Sequence, residues 1–173
     1  MKTIRFLTIL LLAFGFFFAT AEAQRKRPIK RPVPKPVVTG ITNADVIKAK
    51  DTVAKQITYI TNFTDKLPPY VQAIEDVDRE SKTKKLRQTS LDLNGKMKRD
   101  LIQTLRNFRA GLSALETDFR TKPALRKYLL KIEGIAALSL QSEDLAAVGR
   151  YSEISGPLTS AAGKLRDTLA TMR

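Results

Sequence analysis

Seven apolar residues, Met97, Leu101, Leu105, Phe108, Leu112, Leu115 and Phe119, follow one another at steps of 4, 4, 3, 4, 3 and 4. An α-helix returns side chains to one face at that spacing. The stretch therefore predicts about six turns of helix with one continuous apolar stripe. Such a stripe must be covered, and the rest of the chain offers helical partners for it.

Upstream, Val46, Ala49, Val53, Ile57, Ile60, Phe63 and Leu67 recur at similar steps. This predicts a first helix capped by Thr42 or Asn43, with Asp45 in its first turn, where a negative charge suits the helix dipole. Pro68-Pro69 is expected to end that helix and open a second, running to about Gln88 with Tyr70, Val71, Ile74, Val77 and Leu86 inward. Its polar middle offers Glu75–Arg79, Asp78–Lys82 and Glu80–Lys84 as acid-to-base pairs one turn apart. Asn94-Gly95 reads as the turn or helix start before the stripe. Thr121 with Pro123 reads as the start of a fourth helix, with Leu125, Tyr128, Leu129, Ile132 and Ile135 inward. Ser142-Glu143-Asp144 is expected to restart a short helix. Ser155-Gly156-Pro157 breaks the chain ahead of a last helix, with Leu158, Ala161, Ala162, Leu165, Leu169 and Met172 inward.

No segment alternates with a period of two for long enough to suggest a strand. The expected fold class is all-α: an antiparallel up-and-down bundle of four to five helices over residues 41–173, preceded by a disordered Pro/basic arm over 24–40.

Residues 1–23 have the build of an export signal. Lys2 and Arg5 give the positive start, Phe6–Phe18 an uncharged apolar run, and Ala21-Glu22-Ala23 small residues where a signal peptidase reads. The run falls short of the ~20 residues a spanning helix needs, so cleavage between Ala23 and Gln24 is expected rather than anchoring. Ala19-Thr20-Ala21 offers a second point, with the mature chain then starting at Glu22. Either cut sends the remainder across a membrane, to a periplasmic or secreted location, with no integral membrane segment after cleavage.

Beyond Ala23 the chain carries 29 basic and 16 acidic residues, a net charge of +13, and neither Cys nor His anywhere. Without Cys there are no disulfide staples, no thiolate nucleophile and no soft metal site. Without His the usual acid–base group near neutral pH is missing, as is the commonest metal ligand. The mature chain holds only Phe63, Phe108, Phe119, Tyr59, Tyr70, Tyr128 and Tyr151 as aromatics, too few for platforms that stack bases or sugars. No phosphate-loop or dinucleotide fingerprint occurs. No catalytic residue, cofactor or metal is expected.

The charge concentrates in Gln24–Val38, which holds Arg25, Lys26, Arg27, Lys30, Arg31 and Lys35, four prolines and no acid. Proline at this density opposes helix and sheet and favours extended chain. Six cations on such an arm are expected to bind polyanions such as lipid headgroups, lipopolysaccharide or cell-wall polymer, through counterion release. A solubilising spacer is the plainer reading. In composition the arm is also similar to proline- and arginine-rich antimicrobial peptides.

Other patterns carry less. Arg99, Arg106 and Arg120 share one outward stripe of the third helix, flanked by Lys98 and Arg109, and read either as a second anion-binding face or as a solvated flank. Asp76-Val77-Asp78-Arg79-Glu80 opens like a calcium loop but has Ser81 where Gly belongs and Arg87 where the closing Glu belongs. Ser81-Lys82-Thr83-Lys84 has the Ser-x-x-Lys spacing of acyl-transfer enzymes without their companion motifs. Nothing singles out a converging pair among Glu116, Asp118, Glu133, Glu143 and Asp144. Gly134, Ala136, Ala137, Gly149, Ala161, Ala162 and Gly163 read as places of close helix approach. The expected function is therefore a non-enzymatic exported protein whose basic arm contacts an anionic surface. The alternative is a secreted defence-type precursor with residues 24–38 as its active segment.

Overall fold

The computed structural model describes residues 41–172, with side chains from Ala44 onward. Their regular structure is entirely helical: α1 (Ile41–Thr83), α2 (Gln88–Thr121), α3 (Leu129–Ile132), α4 (Ile135–Ala147) and α5 (Ser155–Thr171), with short 3-10 turns at Arg126–Tyr128 and Tyr151–Glu153. The apolar stripes meet in one core. Val53, Ile60 and Ile74 of α1, Leu105, Leu112 and Phe119 of α2, and Leu158 and Leu165 of α5 are fully buried, and Leu125, Ile132 and Ile135 join them. Contacts are most extensive between α2 and α4 and between α1 and α5. Those of α4 with α5 and of α1 with α2 close the circuit. Phe63 and Phe108 meet edge to face at 5.2 Å within it.

Several expected boundaries are not where the helices end. Pro68-Pro69 does not separate two helices; both prolines lie inside α1. Each removes one amide from the helical ladder, so the carbonyls of Thr64 and Asp65 lose their partners. Both prolines are exposed while Leu67 and Val71 on either side are buried, so the loss falls where water can reach and the apolar stripe runs on unbroken. Tyr70 reinforces the join by donating its O–H to the Met97 carbonyl at 2.8 Å. Asn94-Gly95 is likewise no turn: α2 begins at Gln88 and runs through it. Asn94 is buried and donates its amide to Asp78 Oδ1 at 2.7 Å, so a partner on α1 replaces the local turn. Thr42 and Asn43 fall within α1 rather than capping it.

The expected fourth helix has the right inward residues but not one continuous backbone. Leu125, Tyr128 and Ile132 are buried, yet Thr121 ends α2, a 3-10 turn precedes α3, and Gly134 turns the chain with a φ of 87°. Only glycine adopts that region without penalty. Gly149 ends α4 the same way, with a φ of 80°. There the Gly149 amide donates to the Ala146 carbonyl at 3.2 Å and the Arg150 amide to the Leu145 carbonyl at 2.9 Å. That crossed pair satisfies two end carbonyls of α4. These two glycines are turn residues, and a Cβ on Gly149 or Gly163 would meet nothing within 4 Å. The close approach is at Gly111, where a Cβ would stand 3.1 Å from Gln56 Nε2. Ser142 does not restart a helix: α4 passes through it, and its buried hydroxyl donates to the Ile154 carbonyl at 3.0 Å. The break at Ser155-Gly156-Pro157 does open α5.

Two outcomes follow from α1. Pro68→Ala with Pro69→Ala restores two helical amides, so the double variant should gain about 2–4 kcal/mol in unfolding free energy by urea titration. A loss of stability would instead mean that the prolines terminate a helix. Burial, aided by the Asp100 charge, pushes the Tyr70 hydroxyl from its ordinary 10.0 up to about 12. The folded chain then keeps a proton that the unfolded chain releases, so stability is full below about pH 10 and falls as pH rises through 12. Tyr70→Phe should flatten that alkaline decline, measured by chemical denaturation at stepped pH. An unchanged slope would put the phenol in water.

Candidate functional site

The face where α2 meets α4 holds the arginine stripe that the sequence marks as a candidate. Glu143 of α4 lies beneath it, its side chain only 10% exposed. Arg106 Nε donates to Glu143 Oε1 at 2.8 Å, and Arg109 Nη1 stands 3.1 Å from Oε2 as an ion-pair neighbour without hydrogen-bond geometry. The stripe spacing thus brings Arg106 and Arg109 onto one carboxylate. Both arginines keep about half of their side chains in water, at 56% and 42%. They can therefore hold the buried anion without being desolvated themselves, which is the favourable case for a partly buried ion pair. Beside them Ala110, Ser113, Ala136, Ala137 and Leu140 line an open groove of about 360 Å³. A neighbouring hollow of about 400 Å³ is lined by Arg99, Asp100, Ile102, Gln103 and Arg106. The other members of the basic set are dispersed. Arg120 stands 3.8 Å from Glu133, Lys98 pairs with Asp78 at 2.7 Å, and Arg99 is exposed with no carboxylate partner among the described residues.

The five carboxylates considered for acid–base work do not converge. Glu116 reaches from α2 to accept the Ala136 amide at 3.2 Å, capping the start of α4, which has no side-chain cap of its own. Asp118 accepts from Lys122 at 2.9 Å, Glu133 faces Arg120, Glu143 is held by its two arginines, and Asp144 is exposed.

The calcium-like acids diverge along α1, Asp76 pairing with Arg79 and Asp78 with Lys98 and Asn94. Among the described residues no group of three or more His, Cys, Asp or Glu is placed to hold a metal ion. Ser81 donates its hydroxyl to the Asp78 carbonyl at 2.8 Å, not toward Lys84. The six arm cations Arg25, Lys26, Arg27, Lys30, Arg31 and Lys35, and the expected cleavage pair Ala23 and Gln24, lie outside the described residues.

No protein-family model, curated protein or solved structure matches this chain.

The Glu143 cluster was not legible as a unit, because residues 106 and 143 meet only through the packing of α2 on α4. The hint available was that Glu143 lies at helical spacing from Ser139 and Ala146, which share its buried face. Its arrangement predicts an asymmetry. Arg106→Ala with Arg109→Ala strands a buried carboxylate and should cost about 3–5 kcal/mol. Glu143→Gln leaves two arginines that water already serves, and should cost under half as much by the same denaturation assay. Equal, small losses would mean that solvent reaches Glu143 freely.

Proposed function

We propose that this chain is an exported, non-enzymatic binding protein whose basic arm holds it to an anionic surface. The observation that carries the reading is Gln24–Val38, with six cations, four prolines and no acid directly after an apolar, signal-like start. Extended cationic chain binds polyanions by releasing their counterions, with little demand for shape. Residues 41–172 by contrast hold 22 basic and 16 acidic residues, several of them paired with one another. Among the described residues no helix is long and apolar enough to cross a membrane. The location proposed is periplasmic or secreted.

The helical region is proposed to be an antiparallel up-and-down bundle. Contacts of α1 with α2 support this: Phe63 meets Phe108, Tyr70 meets Met97, and Asp78 meets Asn94 and Lys98, so one number rises as the other falls.

Replacing all six arm cations by Gln in the mature chain should lower heparin affinity at least tenfold at low salt and flatten its salt dependence by about 0.7–0.9 log units per cation lost. Equal binding by both chains would overturn the tether. Growth inhibition by a synthetic 24–38 peptide, matching that of the whole chain, would favour the defence-precursor reading.

A further inference from the structure

We propose that the end of the molecule where α1 passes into α2, residues 82–93, docks on an anionic lipid bilayer. The proposal shares the anionic-surface reading above but does not depend on the arm. Between Ile74, the last buried residue of α1, and Leu101, the first buried apolar residue of α2, only Asn94 is buried. This end therefore stands clear of the core. Residues 79–89 are all exposed apart from Leu86.

Lys82, Lys84, Lys85 and Arg87 crowd into this end, and none has a carboxylate within ion-pair distance among the described residues. Spacing alone would have paired Asp78 with Lys82 and Glu80 with Lys84. The structure gives Asp78 to Asn94 and Lys98 instead, at 2.7 Å each, and leaves Glu80 without a cation among the described residues. Asp92 is engaged by Gln88 Nε2 at 2.9 Å. Packing of α1 on α2 thus releases Lys82, which an isolated helix would have paired with Asp78, and Lys84 lies just past the last residue of α1.

The apolar side of the patch decides the occupant. Leu91 and Leu93 are 38% and 43% exposed, and Leu86, in the connection between α1 and α2, is half-buried. A polyanion dissolved in water would satisfy the cations and leave these leucines wet. A bilayer takes both: headgroups receive the lysines and arginine, and the headgroup–acyl boundary receives the leucines. Nucleic acid fits less well, since no aromatic residue lies between Tyr70 and Phe108 to stack a base.

The chain contains no Trp, so a single introduced indole reports alone. The test uses the mature chain carrying Leu93→Trp, with Leu130→Trp, a position 86% exposed in α3 beyond the C-terminal end of α2, as the control. Probes are phosphatidylglycerol vesicles, phosphatidylcholine vesicles and heparin. Leu93→Trp emission should shift to the blue on phosphatidylglycerol only, and Leu130→Trp emission on none. Adding Lys82→Gln, Lys84→Gln, Lys85→Gln and Arg87→Gln should weaken phosphatidylglycerol binding by at least about tenfold, with helicity by circular dichroism unchanged. Vesicle binding without the Leu93→Trp shift would overturn the docking surface while leaving the arm reading intact. A tip-dependent gain on heparin with no vesicle shift would overturn it in favour of a soluble polyanion. A shift that persists when the six arm cations are neutralised would uphold the tip as a binding surface independent of the arm.

Discussion

Packing of apolar stripes is the constraint on which everything else in residues 41–172 depends. With no Cys in the chain, no covalent staple shrinks the unfolded ensemble, and ordering each residue costs about 1–2 kcal/mol of backbone entropy. Fully burying a leucine or isoleucine returns about 1.5–3 kcal/mol, so a pair of these helices alone would not hold. The closed circuit of α1, α2, α4 and α5 lets a residue such as Leu112 or Leu165 be covered completely. α2 is central to it, since its stripe is covered from one side by α1 and from another by α4.

Polar groups follow that packing rather than direct it. Glu116 caps α4 from another helix, Asn94 finds Asp78 across α1, and Ser142 answers the Ile154 carbonyl. In each case the group takes a partner that is distant in sequence and brought near by burial, although Asn94 and Ser142 had read as local turn and helix-start residues. That exchange is energetically natural: a buried polar atom left unpaired costs about 1–3 kcal/mol, more than a local bond in water would have contributed.

The same ordering of forces separates what could be read in the sequence from what could not. Periodic burial was legible: every residue of the Leu101–Phe119 stripe is buried, and so are Leu125, Tyr128 and Ile132. Punctuation was not. Pro68-Pro69 and Asn94-Gly95 are strong local stop signals, yet each lies within a helix: Leu67 and Val71 are buried on both sides of the prolines, and buried Asn94 bonds Asp78 on α1. Gly134 and Gly149 looked like packing residues but set the turns, since a left-handed φ leaves no trace in a pattern of apolar spacings. Of the candidate basic stripe, sequence placed Arg106 and Arg109 on one face. Only the fold could supply Glu143 beneath them.

Net charge is for the same reason a poor guide to where a basic protein binds. Lys98, Arg106, Arg109, Arg120 and Lys122 all spend their charge on carboxylates within the helical region. An anion approaching that face would have to compete with partners already in place, whereas a cation facing only water gives up nothing but its hydration. Lys82, Lys84, Lys85 and Arg87 are in that position. The six cations of Gln24–Val38 have no acid among them in the chain. On the proposed reading, attraction for an anionic surface is set by which cations the packing leaves over. At the α1–α2 end it leaves them next to exposed leucines, a combination that distinguishes a lipid surface from a dissolved polyanion because only the former offers both phases at once.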